Sequence, residues 1–112
     1  KFNENDSIAH LNRYCLVSPV SFSCGNLVPA VFKNSNQVTL LGRQTGGGAC
    51  AVQPLASADG SIWQISSRLR LSTVTNGSFY AVDQGVAPDV LIDKDESYYD
   101  REALTEYINS LF

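Results

Sequence analysis

The sequence contains few of the residues that disulfide frameworks and metal sites require. Its three cysteines, Cys15, Cys24 and Cys50, are an odd number and form no CxxC pair. Disulfide scaffolds use even sets of cysteines, and zinc sites use closely spaced ligands, so neither interpretation is favoured. One histidine adds little to a ligand set. We therefore expect no metal and no cofactor, and the redox compartment stays open.

Concentrated positive charge and long apolar runs are also missing. Eight Lys and Arg stand against eleven Asp and Glu, for a net charge of −3. Nucleic-acid binders concentrate positive charge against phosphates, so a nucleic-acid partner is not predicted. No apolar run approaches the roughly 20 residues that cross a bilayer. The polar opening Lys1–Asp6 does not resemble a signal peptide, and a targeting segment upstream of Lys1 is left open.

What is present indicates one folded domain with a mixed architecture. The chain has 112 residues, of which 44% are hydrophobic, which is enough apolar surface for a single core. Short apolar runs predict strands over 14–18 and 37–41. Between them, Leu27, Ala30, Val31 and Asn34 fall at helical spacing, which predicts a helix over about 24–34. Pro29 lies inside this helix, so we expect the helix to be kinked or to begin late.

The second half of the chain has the pattern of antiparallel strands followed by a helix. Strands are predicted over 49–55, 61–66, 68–74 and 78–82, and the dipeptides Asp59-Gly60 and Asn76-Gly77 favour tight turns. Leu69 and Leu71 alternate with Arg68 and Arg70, which indicates a half-buried strand rather than an anion site. Residues 100–112 form the last predicted helix, with Asp100 as its N-cap. The class is α/β, with one parallel crossover and an antiparallel extension.

Ser23 and Cys24 lie at the start of the first predicted helix. Unpaired N–H groups of a first helical turn can stabilise an oxyanion, and a side chain at that edge can attack a substrate. A serine before a helix is more often its N-cap, and Cys24 is a rival nucleophile. The residues alone leave these interpretations open.

The residues around this junction resemble a known enzyme family. Ser21-Phe22-Ser23-Cys24-Gly25-Asn26 before an apolar helix, then 38–48 ending in Gly46-Gly47-Gly48, and finally Gly85-Val86-Ala87-Pro88-Asp89 are similar to the C-terminal processing (tail-specific, tricorn-like) serine peptidases. The resemblance covers roughly residues 14–92. It implies that 1–112 is the C-terminal part of one ClpP/crotonase-like core domain, with 1–12 as a loosely held lead-in and 100–112 as a terminal helix.

The resemblance also implies roles for individual residues. Ser23 falls on the nucleophile position, and the Cys24 amide falls on one oxyanion donor. Thr45, Gly46, Gly47 and Gly48 would bound the substrate groove. In the Ser–Lys branch of the family the lysine would stand where this chain has Gly48, so that dyad is excluded. Lys33 is a poor substitute, because it lies ten residues further on and is expected to face solvent.

The Ser–His–Glu branch remains, and this chain matches it incompletely. The family histidine comes from far upstream of the nucleophile, and the single histidine here, His10, is a weak candidate for the base. The family glutamate would stand at Val82. Asp83 is the candidate orienting acid, although alternation would send Val82 and Asp83 to opposite faces.

The implied function is that of the nucleophile-bearing half of a serine endopeptidase that acts on proteins or peptides through an acyl-enzyme. The upstream histidine is missing, so we expect the isolated chain to be inactive. The alternative is a non-catalytic module that binds peptides or assembles with partners. The expected partner is the missing N-terminal half of the domain or a second copy. A secreted or extracytoplasmic location is compatible with the resemblance.

Overall fold

A parallel three-stranded sheet forms one part of the fold. The computed structural model describes residues 10–75, 77–93 and 100–111. Strand β1 (Tyr14–Val17) is followed by helix α1 (Cys24–Ser35) and strand β2 (Thr39–Gly42). β1 and β2 pair in parallel, and β7 (Val90–Leu91) pairs in parallel with the other edge of β2. The predicted parallel crossover is confirmed.

Two antiparallel hairpins form the other part. The first pairs β3 (Cys50–Ala56) with β4 (Ile62–Arg70), and the second pairs β5 (Ser72–Thr75) with β6 (Ser78–Ala81). At the first turn the Ser61 N–H donates to the Asp59 carboxylate, and this bond lowers the pKa of Asp59. Asn76, in the second predicted turn, lies outside the described residues. A 3-10 turn (Val82–Gln84) then leads back towards the parallel sheet.

The boundary between β4 and β5 differs from the predicted one. Strands were expected over 61–66 and 68–74, but β4 continues to Arg70 because its ladder with β3 resumes at the pair Cys50 and Arg70. The break falls at Leu71, whose N–H donates to the Ala49 carbonyl. The half-buried interpretation of this segment was wrong, since Leu69 is 74% exposed and β4 contains no buried residue.

The core lies between α1, the parallel sheet and the return segment after β6. Val17, Leu40, Leu41 and Val86 are almost fully buried, and Ala30, Ala49, Val82 and Val86 form a contiguous cluster. These apolar contacts supply most of the stabilisation of the fold.

The buried face of α1 is rotated from the predicted one. Asn26, Pro29 and Ala30 are its buried residues, whereas Val31 is 59% exposed. The side chain of Asn26 makes hydrogen bonds to groups inside the core. The helical face that carries Asn26 therefore points inwards.

The start of each helix tests an expectation from the sequence. A kink or a late start was expected because of Pro29, and the late start was wrong, since α1 begins at Cys24. The second helix, α2 (Arg101–Leu111), is preceded by Asp100, whose carboxylate accepts from the Glu102 and Ala103 N–H groups. The predicted N-cap is therefore confirmed. Within the described residues, neither helix is long and apolar enough to span a membrane.

Candidate active site

Ser23 occupies a sharp junction between an extended segment and helix α1. Phe22 forms a parallel bridge with Gly47, and α1 begins immediately after Ser23. The backbone of Ser23 has φ 57° and ψ −118°, a region that residues with a Cβ rarely adopt. Such strain costs on the order of 1–3 kcal/mol and is concentrated at functional sites. The exposed side chain of Ser23 stands at the outside of this turn.

Ser23 is not a conventional helix cap. It stands at the N-cap position, but its side chain makes no capping hydrogen bond. The first helical turn is instead closed by its backbone carbonyl, which accepts from the Asn26 and Leu27 N–H groups. A capping serine normally uses its hydroxyl for this purpose. The capping interpretation therefore lacks its defining contact, and the hydroxyl is left available.

The neighbouring amide of Cys24 is available as well. Within the described chain, the Cys24 N–H donates to no acceptor, whereas the Ser23 N–H donates to the Gly47 carbonyl at 2.9 Å. Cys24 is exposed, so its amide can meet a ligand. A serine at a strained strand-to-helix turn, followed by a free N–H, matches the geometry of nucleophile and oxyanion donor in serine hydrolases.

The glycine-rich turn packs directly against this junction. The Gly46 N–H donates to the Ser21 carbonyl, and the Gly48 N–H donates to the Asp83 carbonyl. Gly47 has φ +80°, and a Cβ there would lie 2.2 Å from the Asp83 carbonyl oxygen. The turn can therefore approach so closely because it carries no side chain.

The backbone conformation and surroundings of Gly48 are unsuited to a lysine at this position. Its φ is +84°, and a Cβ would lie 2.5 Å from the Phe22 ring. A lysine side chain would need both a strained backbone and a displaced ring.

A buried polar network holds the turn to α1, and its central residue, Asn26, was missed at the sequence level. The Asn26 amide donates to the Val82 carbonyl at 2.8 Å and accepts from the Thr45 hydroxyl. The same hydroxyl accepts from the Val86 N–H at 2.6 Å. The available signal was that Asn26 lies four residues before Ala30, hence on the same helical face.

Thr45 has a different position from the other predicted groove residues. It is 4% exposed, and its hydroxyl is engaged in the Asn26 network. Gly47 is also buried, whereas Gly46 is exposed and Gly48 is half-buried. Thr45 therefore anchors the turn from the inside, and Gly46 and Gly48 form its accessible part.

Asp83 lies next to this turn, with its side chain 21% exposed. One carboxylate oxygen accepts from the Ala49 N–H at 2.9 Å, and the other lies 3.6 Å from Arg70 Nε. Val82 enters the core while Asp83 is only half-buried, and both lie in the 3-10 turn rather than in the strand that the alternation argument assumed. Asp83 makes no hydrogen bond to Ser23 among the described residues.

A cavity of about 510 Å³ opens beside the junction. It is lined by Phe22 before α1, by Gly46 and Gly48 of the glycine-rich turn, and by Ser66, Ser67 and Arg68 of β4. Cys50, Arg70 and Asp83 complete the lining. Ser23 is not a lining residue itself, but it directly follows Phe22, which is one.

His10 and Lys33 lie away from Ser23. His10 is an exposed residue at the start of the described chain, and neither side chain hydrogen-bonds to Ser23 in the described residues. Lys33 was expected to face solvent, which was wrong: its ammonium donates to the Ala87 carbonyl at 2.6 Å and pairs with Asp89 at 3.2 Å. Asp89 in turn accepts from the Leu40 N–H. Asp89, in the Pro-Asp end of the motif, therefore links α1 to β2.

A second cavity and the metal-ligating residues add nothing to the site. The cavity encloses about 470 Å³ near the C-terminal end of α1, beside Lys33 and Asn36, and none of the predicted site residues lines it. Within the part of the chain that is described, no group of three or more His, Cys, Asp or Glu side chains could hold a metal ion.

Comparison with known proteins gives one family and several related structures. The model of peptidase family S41 matches residues 2–92. A putative peptidase from Parabacteroides merdae has 22% sequence identity and a TM-score of 0.65, over 89% of this chain and 31% of that chain. No curated protein matches.

Two further structures have similar folds. The photosystem II D1 C-terminal processing protease has 18% identity and a TM-score of 0.61, over 87% of this chain and 24% of that chain. Mature CPAF has 20% identity and a TM-score of 0.59, over 88% of this chain and 19% of that chain. The 112 residues thus span less than a third of the length of each of these structures.

Proposed function

Because this chain belongs to peptidase family S41, as its motifs predicted, we propose that it is the nucleophile-bearing half of a serine endopeptidase that cleaves proteins or peptides. The parallel β1–α1–β2 unit supports a ClpP/crotonase-type, tricorn-like core. Residues 1–112 are then one portion of a single peptidase domain. The similarity to longer peptidases over most of this chain supports that assignment.

The observation that carries the proposal is the conformation of Ser23. Its backbone is strained, its hydroxyl caps nothing, and the next N–H is unpaired. A serine kept only for helix capping would make the capping bond and would need no positive φ. A nucleophile gains from both features, because the turn exposes Oγ beside a preformed oxyanion donor.

The proposed reaction follows from these positions. A histidine supplied by another part of the polypeptide takes the Ser23 proton as Oγ attacks the scissile carbonyl, and the Cys24 N–H donates to the developing oxyanion. The histidine returns the proton to the leaving amine, which leaves an acyl-enzyme on Ser23. Water, deprotonated by the same histidine, then attacks the acyl carbon. The ester C–O bond breaks, the histidine returns that proton to Ser23 Oγ, and the acid is released. No residue described here supplies that base, so the isolated chain is expected to be inactive.

We assign Asp83 the role of orienting acid for that histidine. It lines the cavity beside Phe22, and among the described residues its one contact with a cation is with Arg70, at 3.6 Å. A carboxylate oxygen with so weak a partner can accept an imidazole N–H. Asp83→Asn in the longer polypeptide should lower kcat by about a hundredfold or more while fluorophosphonate still labels Ser23 slowly. Unchanged kcat would remove Asp83 from the mechanism.

The decisive experiment is labelling with a fluorophosphonate probe. The longer polypeptide that contains residues 1–112 should be labelled at Ser23, as located by peptide mass spectrometry, and it should hydrolyse a denatured protein substrate. Ser23→Ala should abolish both signals. Ser18→Ala is the matched control, because Ser18 precedes the junction and should leave labelling intact. Labelling that persists in Ser23→Ala would refute the nucleophile assignment.

The isolated 112-residue chain gives a second arm of this experiment. It should hydrolyse no peptide, since loss of a triad member typically costs about a thousandfold or more. Hydrolysis by the isolated chain that disappears in Ser23→Ala would sink the expectation of inactivity and would require a base within this chain.

A non-catalytic peptide-binding module is the second candidate. Gly48 stands where the Ser–Lys branch would carry its lysine, and Val82 stands where the Ser–His–Glu branch would carry its glutamate. Neither residue could act as acid or base. A correctly folded longer polypeptide that binds peptide but gives no probe labelling would favour this candidate.

The exposed apolar residues of the first hairpin support a protein partner. Ile62 and Trp63 are both more than half exposed. We propose that the N-terminal half of the peptidase domain covers this hairpin, with a second copy of the chain as the alternative. Light scattering on the isolated chain should detect self-association, and a clean monomer at all concentrations would count against the second copy.

A further inference from the structure

Strand β4 carries an irregularity where it borders the cavity. Cys50 pairs with Arg70, and Val52 pairs with Ser66. Between these pairs β3 contributes one residue, Ala51, whereas β4 contributes three, residues 67–69. The Leu69 N–H donates to the Ser67 hydroxyl at 3.0 Å, which closes the extra residues into a local loop. β4 therefore bulges by two residues at this point.

The bulge changes which side chains reach the cavity. In a regular strand, successive side chains point to opposite faces, so three consecutive residues do not line one wall. Ser66, Ser67 and Arg68 nevertheless all line the cavity. Bulges are frequent beside active sites, where they redirect a side chain. Ser66, Arg68 and Arg70 are spaced for one face of the strand, so the residue that the bulge adds to the wall is Ser67.

The two arginines of the cavity differ in their partners. Arg70 forms a long ion pair with Asp83, at 3.6 Å from Nε to the carboxylate. Arg68 makes no hydrogen bond or ion pair with any other described residue, and its side chain is exposed. A guanidinium offers five donors in a fixed plane, which suit a carboxylate. The protein has a net charge of −3, so the positive charge of Arg68 is opposite in sign to that of the protein as a whole.

We propose that Arg68 determines specificity by binding an acidic side chain of the substrate in the cavity next to Ser23. This proposal rests on the proposed function, since it assumes that the cavity receives substrate. Ser66 and Ser67, which line the same wall, can donate to the same carboxylate through their hydroxyls. Arg70, whose Nε lies 3.6 Å from the Asp83 carboxylate, would add positive charge to the same cavity.

The test compares matched peptides on the longer polypeptide carrying Ser23→Ala, so that binding is measured without hydrolysis. Fluorescent peptides that differ by Glu against Gln at one position form the pairs, and anisotropy gives their dissociation constants. At some position Glu should bind about three- to tenfold more tightly than Gln. Arg68→Gln should abolish that preference, and Arg68→Lys should restore part of it. Raising the salt concentration should weaken it.

Arg101→Gln, on helix α2, is the matched control for a change of net charge and should leave the preference intact. Equal binding of Glu and Gln peptides at every position, or a preference that survives Arg68→Gln, would overturn the role of Arg68. These outcomes are distinguishable from failure of the proposed function, which fluorophosphonate labelling of Ser23 reports independently.

Discussion

The parallel part of the molecule and the β3–β4 hairpin use their apolar residues in opposite ways. In β2, Leu40 is 0% exposed and Leu41 is 1% exposed. In β4, Ile62 and Leu69 are each about three-quarters exposed, although β4 is the longest strand described. Strand formation therefore does not imply core formation. The parallel part carries the candidate nucleophile at the start of α1, and the hairpin contributes an accessible wall.

The largest expected effect separates these two parts by stability. Leu40→Ala removes a fully buried side chain at the centre of the sheet, and it should lower the free energy of unfolding by about 2–5 kcal/mol. Leu69→Ala, the matched change in the hairpin, should alter it by less than about 0.5 kcal/mol. Urea denaturation of both variants measures the difference. A similar loss of stability in both variants would contradict the exposure of Leu69.

The next comparison uses two glycines with the same backbone conformation. Gly47 and Gly60 both have φ near +80°, but a Cβ on Gly47 would meet the Asp83 carbonyl, whereas a Cβ on Gly60 would meet nothing within 4 Å. Gly60→Ala should therefore lose only the conformational term, about 1–2 kcal/mol. Gly47→Ala should lose at least twice that free energy of unfolding and should also impair fluorophosphonate labelling. Equal losses would show that the close approach is not maintained.

A smaller effect is expected at the buried network. Thr45→Val keeps the shape of the side chain but leaves the side-chain amide oxygen of Asn26 and the Val86 N–H without this partner. The free energy of unfolding should fall by about 2 kcal/mol. Thr105→Val on helix α2 is the control, because its exposed hydroxyl bonds only to the Arg101 carbonyl. A loss in Thr105→Val as large as that in Thr45→Val would contradict the importance of the network.

The smallest effect concerns Tyr80, where the second hairpin meets the core. Tyr80 packs against the buried cluster, and burial raises the pKa of its phenol. The folded state then holds the proton more tightly than the unfolded state, so this contribution is complete below pH 10 and is lost as the pH rises through the folded pKa. Wild type should lose slightly more stability than Tyr80→Phe between about pH 9 and 11. Identical pH profiles, with Tyr107→Phe as control, would remove this assignment.

The parallel crossover could be predicted from the sequence because its signals are local. Short apolar runs bounded by Pro19 and Gly42, and a helical pattern between them, suffice to place β1, α1 and β2. The Asp59-Gly60 turn and the Asp100 cap are local signals of the same kind. The family resemblance, carried by motifs in the same region, was confirmed by the match over residues 2–92.

What the sequence did not predict depends on contacts between distant segments. The role of Asn26 requires Val82, which lies 56 residues away, and the contacts of Lys33 require Ala87 and Asp89. The bulge in β4 depends on which residues of β3 pair with it, so alternation within β4 alone gave the wrong burial for Leu69. The nucleophile, acid and groove assignments stay proposals, since they await chemistry on the protein itself.

The positive φ of Ser23 also bears on how this position could evolve. Glycine adopts such a conformation without the Cβ penalty, so a glycine there would relieve strain that the serine imposes. In a protein selected for stability alone, substitution by glycine would be an easy route to a more stable fold. A protein without hydrolytic activity would lose no activity by the substitution of this serine by glycine. Under the proposed function, the serine at this junction therefore gives up some stability of the fold for the reactivity of its hydroxyl.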